Sequence, residues 1–439
     1  MRRCLLGAAL AAAAAALVVA GCGAISPPRP AVVWITVHGL RADAVGFLGG
    51  PPGLTPVLDR LASTATWSGS AVAASSETGP ATASLLTGLR PWQHQVLHAD
   101  SPAPGEDLLT LAEALAARGY ATRAFVNSRW LAAPGWLQGV ATPRVVSRLD
   151  RPVEHLAGLG AAEFVWIQLD GPSPPYRLRR RFLSRLPPPV PELPKRLGFS
   201  ELGAYADPSR PLPAEKRAEL WALYCLNVAA VDADLGRLLA ALRRGGRYDQ
   251  ALVVIVSDHG QEFGEHGRVG AGGGLGRELL EVPLLLKLPA GARAKLAVGR
   301  GERVPLLRLW ATVVELAGGE VPPAAAPSLW RRHSAGAPSE LYLAGGGNQF
   351  SWTEGGLQLR RTLRLERPFR DSLPWSAPPE RISIELERWR AEGGSERLDD
   401  PALEARLGAA LAASWQAFLD EERTPAAEAS ERGLVEEGG

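Results

Sequence analysis

Two short segments of the 439-residue chain carry side chains that can bind a metal. An apolar run over residues 31–37 ends at His38, and a second run over residues 251–256 is followed closely by Asp258 and His259. Carboxylate and imidazole groups are common ligands of divalent metals. For Asp258 and His259 we favour metal binding. For His38, a hydrogen-bonded histidine at a strand end stays open as the alternative.

The elements that must position these residues alternate between strands and helices. Continuous apolar runs predict strands buried on both faces, and helical spacing predicts a long helix over residues 214–244. Thr78-Gly79-Pro80 is a helix start signal with Thr78 as the N-cap. Strands separated repeatedly by helices predict an α/β fold with a mostly parallel central sheet covered by helices on both faces.

Composition narrows the possible classes of protein. Hydrophobic residues make up 46% of the chain and charged residues 21%, which is typical of a folded globular protein. The 48 Lys and Arg residues nearly balance 46 Asp and Glu residues, so we expect no nucleic-acid partner.

The first residues predict export and a lipid anchor. Arg2 and Arg3 precede a short Ala-rich apolar core, and residues 19–22 (VAGC) resemble a bacterial lipobox ending at Cys22. An ordinary cleaved signal that happens to contain a cysteine is the alternative. Lipidation of Cys22 would place the protein in the cell envelope, at the outer membrane or the periplasmic face. Only Cys225 would then remain, so the mature chain would have no internal disulfide.

The predicted organisation has five parts. A signal peptide over residues 1–21 and a lipidated tether over 22–30 precede an α/β domain over 31–323, a smaller C-terminal α+β subdomain over 324–423, and a disordered tail over 424–439. Residues 171–213 interrupt the pattern with many prolines and the basic residues Arg177 and Arg179 to Arg181. This excursion either lies over the site or is a solvated surface loop.

Together, three motifs resemble the sulfatase branch of the alkaline phosphatase superfamily. They are residues 35–43 (ITVHGLRAD), 78–89 (TGPATASLLTGL) and 256–260 (VSDHG), with 263–267 (FGEHG) close behind. The resemblance implies that the central sheet and its C-terminal subdomain are sulfatase-like. It also implies hydrolysis of a sulfate or phosphate ester, with a metal that activates an oxygen nucleophile at a helix N-terminus.

Thr78 falls where sulfatases have the Cys or Ser that becomes formylglycine. Threonine cannot form that aldehyde, so no formylglycine is expected. Threonine is, however, the nucleophile in phosphodiesterase-like relatives of the superfamily. The resemblance therefore implies that Thr78 is the catalytic nucleophile, although a helix cap alone is the alternative.

The resemblance also assigns the metal ligands and two weaker substrate contacts. His38 falls where the family has an Asp, while Asp258 and His259 match the second ligand pair. Replacement of a carboxylate by imidazole favours one Zn²⁺ over Ca²⁺ or Mg²⁺. His94 and His266 are weaker candidates for substrate binding.

Several positions depart from the family pattern, which leaves two hypotheses for the function. Thr82 replaces an Arg, Ser173 replaces a His, and a glycine run over residues 272–274 replaces a Lys or His. The first hypothesis is a metal-dependent hydrolase of a small-molecule, glycan or lipid ester. The second is a catalytically inactive lipoprotein that keeps the fold as a binding or scaffolding module.

Overall fold

The computed structural model describes residues 29–203, 211–292, 295–299, 302–332, 337–343, 347–354, 357–364, 382–389 and 395–413. The predicted signal peptide, Cys22 and the C-terminal tail over residues 424–439 lie outside these ranges. Within the described ranges, no helix combines the length and the apolar character needed to cross a membrane.

The strands fall into one large sheet, one smaller sheet and two short ladders. In chain order they are β1 Val32–Val37, β2 Trp67–Val72, β3 Ala121–Val126, β4 Thr142–Val145, β5 Glu163–Leu169, β6 Tyr176–Arg177, β7 Arg196–Leu197, β8 Leu252–Ser257, β9 Glu262–Phe263, β10 Val269–Gly270, β11 Glu281–Lys287, β12 Val304–Pro305, β13 Ala337–Leu343, β14 Gly347–Glu354, β15 Leu357–Arg364, β16 Ile382–Trp389 and β17 Ser395–Arg397.

The helices surround the large sheet. They are α1 Pro56–Thr64, α2 Thr78–Thr87, α3 Pro91–His94, α4 Leu111–Ala116, α5 Asp150–Ala157, α6 Phe199–Gly203, α7 Ala214–Arg244, α8 Arg277–Leu280 and α9 Arg308–Leu316. Short 3-10 turns cover Ala42–Ala44, Gly46–Leu48, Trp130–Ala132 and Arg180–Arg185. Residues 401–413 are also helical.

The large sheet has eight strands in the order β12-β2-β11-β8-β1-β5-β3-β4. Its strands are parallel except β11, which runs antiparallel to both of its neighbours. Two buried apolar clusters cover opposite faces. Alternate residues of β1 enter different clusters, with Val33 and Ile35 on one side and Val32 and Trp34 on the other. This arrangement confirms the predicted mostly parallel α/β sheet.

The smaller sheet lies in the C-terminal part of the chain and is antiparallel throughout, in the order β13-β14-β15-β16-β17. Phe350, Leu359 and Leu386 from this sheet form a core with Leu407 of the 401–413 helix and with Trp92 of α3. The small sheet therefore packs against the main domain through Trp92.

Three strands of the large sheet were missed in the sequence, the two-residue β12, which precedes a helix, and the longer β2 and β4. β2 (WSGSAV) and β4 (TPRV) lack the continuous apolar run that marks β1 and β8. β2 contains small residues and glycine, and β4 lies at the sheet edge. Tertiary pairing rather than local propensity determines both strands.

Candidate active site

His38 and Asp258 lie side by side because their strands are neighbours in register. β1 pairs with β8 so that Val37 faces Ser257, and it pairs with β5 so that Val37 also faces Leu169. All three strands are parallel, so the residues that follow them emerge at one carboxyl edge. In open α/β sheets, ligands bind at this edge.

Asp258 accepts hydrogen bonds on both of its carboxylate oxygens. Oδ1 accepts from the backbone N–H groups of Gly39 (3.0 Å) and His259 (2.9 Å), and Oδ2 lies 2.8 Å from Nδ1 of His38. Burial works against its charged form, but the adjacent His259 and His38 imidazoles, the hydrogen bond from His38 and the N–H of Gly39 outweigh it and lower the pKa of Asp258. The carboxylate is therefore ionised at neutral pH.

The two imidazoles near Asp258 have opposite pKa shifts. For His38, burial disfavours the charged form, but the charge of Asp258 and its hydrogen bond raise the pKa above the usual value. For His259, burial lowers the pKa and Asp258 opposes this only in part. The rings are perpendicular, with centroids 4.9 Å apart. His38 thus favours an ion pair, and His259 stays neutral.

Thr78 lies beside the neutral histidine. His259 Nδ1 is 2.8 Å from the carbonyl oxygen of Gly260, which can only accept, so Nδ1 carries the proton. Nε2 then has a free lone pair, and it accepts the hydroxyl of Thr78 at 3.1 Å. A hydroxyl, a neutral base and a group that orients the base form the arrangement of an activated nucleophile.

Thr78 is the first residue of α2, not its cap. The N-cap is Glu77, in an extended conformation and without a side-chain cap bond. Glu77 instead accepts the backbone N–H of Ala99 at 2.7 Å. This corrects the N-cap assignment for Thr78, whose hydroxyl bonds to His259.

One group of potential metal ligands occurs in the described part of the chain. Single donor atoms of His38, Asp258 and His259 lie within 4.8 Å of one another. One carboxylate and two imidazoles form a donor set typical of zinc. These residues fit one such ion, provided that it displaces the proton shared by His38 and Asp258.

Two glycines allow the strand ends to approach closely. Gly39 has a φ of +72°, and a Cβ there would lie 2.6 Å from Oγ of Ser173. A Cβ on Gly260 would lie 1.9 Å from the carbonyl oxygen of Glu278. The turns that carry His38 and His259 therefore require glycine.

Sequence reasoning missed the side chains that hold these turns in place. The Tyr224 hydroxyl, from the first half of α7, donates to the carbonyl of Gly39 (3.0 Å) and accepts from the backbone N–H of Arg41 (2.8 Å). Gln261 donates to Gly39 and to Ser173. Neither residue belongs to a recognisable motif, so no sequence signal could have identified it.

Ser173 and the glycine run, two of the departures from the family pattern, lie next to the site. Ser173 donates to the carbonyl oxygen of His38 at 3.3 Å. The backbone N–H of Gly272 donates to the carbonyl of Ser76, two residues before Thr78. The serine therefore supports the turn at His38, and the glycine run contacts the segment that leads into α2.

The two weaker substrate candidates have partners within the protein. His94 is buried, with Nε2 2.9 Å from Oγ of Ser84 and Nδ1 accepting from Val96, and burial lowers its pKa to about 3. His266 Nδ1 lies 2.7 Å from Glu262, and this hydrogen bond raises the pKa of His266. A substrate role for either histidine stays a prediction.

Comparison with known proteins identifies the family and the relatives that this chain matches. A family model described as Sulfatase matches residues 30–149 and 195–319, more than half of the chain. A curated relative is the multifunctional alkaline phosphatase superfamily protein PehA of Trinickia caryophylli, 31% identical over 106 residues. That match covers 24% of this chain and only 20% of the relative.

Solved structures match nearly the whole chain. The 2-O GAG sulfatase BT1596 aligns with a TM-score of 0.65 and 17% identity, covering 92% of this chain and 94% of its own. The phosphonate monoester hydrolase of Silicibacter pomeroyi aligns with a TM-score of 0.61 and 17% identity, covering 90% and 96%. At these identities, the likeness establishes the fold.

Proposed function

The chain belongs to the sulfatase family, and from that premise we propose that it is a metal-dependent hydrolase of sulfate or phosphate esters. The observation that carries the proposal is the 3.1 Å hydrogen bond from the Thr78 hydroxyl to Nε2 of His259. It joins a nucleophile to a base at the start of a ten-residue helix, where the helix dipole favours an anion.

In the proposed reaction, Thr78 Oγ1 attacks the phosphorus or sulfur of the ester. Its proton moves to Nε2 of His259 and from there to the leaving oxygen as the bond to that oxygen breaks. Water then attacks the group on Thr78, which releases the acid and restores the hydroxyl. Removal of the Nε2 proton in each cycle is helped by the low pKa of His259. Gly260 holds the ring in the correct tautomer.

The residues that would hold the metal are His38, Asp258 and His259, with Thr78 at the edge of the group. A bound ion would neutralise charge on the ester oxygens and lower the pKa of the attacking hydroxyl. Nε2 of His259 cannot bind a metal and accept the Thr78 proton at once. The two roles therefore belong to different stages or to alternative forms of the site.

Two relatives suggest the substrate class. BT1596 is a 2-O GAG sulfatase, and the Silicibacter pomeroyi enzyme is a phosphonate monoester hydrolase. We propose a sulfate or phosphate ester of a sugar, a lipid or another small molecule as the substrate.

Turnover of aryl sulfate, phosphate monoester and phosphodiester substrates tests the proposal, with and without added Zn²⁺. We expect Thr78→Ala to abolish turnover and Thr78→Ser, the matched control that keeps a hydroxyl, to retain part of it. Mass spectrometry should find unmodified threonine at position 78. Equal turnover in wild type and Thr78→Ala would exclude Thr78 as the nucleophile.

One observation favours the non-catalytic alternative. His38 and Asp258 already form a hydrogen-bonded ion pair at 2.8 Å, which satisfies the carboxylate without a metal. In addition, Thr82 and Ser173 stand where the family has charged or metal-proximal side chains. Absence of both stoichiometric metal and turnover in purified protein would favour a binding or scaffolding lipoprotein.

We further propose that Cys22 carries a lipid that holds the protein in the cell envelope. The lipobox-like residues 19–22 support this assignment. Cys22→Ser should release soluble protein or leave an unprocessed precursor, as judged by membrane fractionation and the mass of the mature N-terminus. Normal processing and membrane retention of the variant would contradict the anchor.

A further inference from the structure

A cavity of about 560 Å³ adjoins the candidate active site. It lies beyond the carboxyl ends of β3, β4 and β5 and is closed on one side by α7. Asp170, at the end of β5, lines the cavity and is close enough to His38 and Asp258 for their charges to affect its pKa. Asp170 therefore lies between the group formed by His38 and Asp258 and the rest of the cavity.

Three arginines line the cavity, but only one of them is neutralised. Arg237 lies 3.0 Å from Asp150 and 3.6 Å from Asp234. Across the ranges that the structure describes, neither Arg148 nor Arg179 has a carboxylate within 4.0 Å. Two guanidinium groups thus face the cavity without a paired anion.

Arg179 is held in place by a buried amide. Its Nε donates to Oδ1 of Asn227 at 3.4 Å, and Nδ2 of Asn227 donates to the carbonyls of Leu223 and Arg177. This leaves the terminal nitrogens of Arg179 for another acceptor. Partial burial and the charges of Arg177 and Arg181 lower the pKa of Arg179, and the charge of Asp234, which also lines the cavity, opposes this only in part.

Near Thr78, two positions at which the family carries a cation are uncharged in this chain. Thr82, a neutral side chain, stands where the family has an arginine, and the run over residues 272–274 carries no cation. Cations beyond His38 and Arg268, whose side chain lies against Gly273 and Gly274, would add to the affinity for an anionic substrate. A guanidinium with two free N–H groups matches a sulfate, phosphate or carboxylate in bidentate geometry.

We propose that this cavity binds a second anionic group of the substrate through Arg179 and Arg148. The substrate class is thereby narrowed to esters that carry a further sulfate, phosphate or carboxylate besides the one cleaved. This inference rests on the proposed hydrolase function for the identity of the first group. Within the basic run of the 171–213 excursion, Arg179 then acts in substrate selection.

Calorimetric binding to the full chain with Thr78→Ala, which blocks turnover, tests the cavity. The probes are D-glucosamine 2-N,6-O-disulfate and the two singly sulfated sugars, 2-N-sulfate and 6-O-sulfate. We expect the disulfate to bind at least about tenfold more tightly than either monosulfate, which corresponds to about 1.4 kcal/mol. Equal affinities for the three probes would overturn the proposal.

Substitution of single arginines locates the effect. Arg179→Gln should remove the preference for the disulfate. Arg179→Lys should keep only part of it, because a lysine ammonium lacks the two parallel N–H donors of a guanidinium. Arg181→Gln is the matched control, since Arg181 stacks on Phe182 and does not line the cavity. An equal loss in Arg179→Gln and Arg181→Gln would show a general charge effect and refute the assignment.

The failure of each proposal gives a different result. If Thr78-dependent turnover is absent but the disulfate preference depends on Arg179, the hydrolase proposal falls and the anion site stands. If turnover depends on Thr78 but Arg179→Gln leaves the disulfate preference intact, only the anion site falls.

Discussion

The two sides of the candidate site share one carboxylate but stabilise opposite charge states. On the side built by β8 and α2, His259 is fully buried, bonded to a backbone carbonyl and kept neutral. On the side built by β1, His38 is partly exposed and bonded to Asp258, which favours its protonated form. One imidazole is thus suited to accept a proton and the other to supply positive charge.

This difference shows how the charge state of one side of a site can change while the hydrogen bonds that position its residues are kept. Hydrogen bonds from Gly39 and His259 fix one oxygen of Asp258, and Tyr224 fixes the turn at His38. These hydrogen bonds do not involve the atoms between His38 and Asp258, so they form whether a proton or a metal lies there. The β1 side can therefore vary without disturbing the Thr78–His259 pair.

The largest expected effect is on the β8 side. His259→Gln removes the base while leaving an amide of similar length, and kcat/KM should fall by about 10²–10⁴-fold. Because the pKa of His259 is lowered from 6.5, wild-type activity should persist below pH 6.5 before protonation stops it. The pH–rate profile of kcat/KM measures both points. An unchanged rate in His259→Gln would remove His259 from the reaction.

On the β1 side, the next expected effect is that a bound metal stabilises the protein against unfolding. If Zn²⁺ binds, a concentration of 100 times Kd should raise the free energy of unfolding by about 2.7 kcal/mol. The pKa of His38 is raised, so a proton competes with the metal more strongly at pH 5.5 than at pH 7.5. Thermal melts with Zn²⁺, Ca²⁺ and EDTA should therefore show weaker zinc stabilisation at pH 5.5.

His38→Asp is the matched variant for this measurement. It restores a second carboxylate and should shift the preference towards Mg²⁺ or Ca²⁺, which favour oxygen ligands. If no ion changes the melting temperature of the wild-type protein at either pH, the result argues against the metal site and for the non-catalytic alternative.

The sheet and the position of its edge could be predicted from sequence, but the charge states of the site could not. Continuous apolar runs identify β1 and β8, and the residues that follow them meet because parallel strands end at one edge. The pKa of His38 depends on a contact across 220 residues of chain, and Tyr224 acts from the interior of a 31-residue helix. Such contacts exist only after folding, so local pattern does not show them.

The buried His94, outside the metal-ligand group, gives a pKa effect on stability with which the two histidines of the site can be compared. Burial lowers the pKa of His94 to about 3, so the unfolded chain binds a proton there at a pH where the folded chain does not. Its contribution to stability is present above pH 6.5 and is lost as pH falls towards 3, by about 1.4 kcal/mol per pH unit. Urea unfolding at several pH values should show this slope in wild type and a shallower one in His94→Gln. Equal slopes would mean that His94 titrates normally.

The smallest expected effect separates the two interpretations of Thr78 by stability rather than by rate. A true N-cap would lose about 0.5–2 kcal/mol on removal of its hydroxyl, whatever stands at position 259. The structure gives Thr78 a bond to His259 instead, so Thr78→Val should cost about 0.5–1.5 kcal/mol in wild type and nearly nothing in a His259→Leu background, whose side chain has no atom that can accept the bond. Denaturant unfolding of the four proteins measures the coupling. A cost for Thr78→Val that is the same in both backgrounds would show that the hydroxyl serves the helix and not the histidine, and would remove the structural basis for Thr78 as an activated nucleophile.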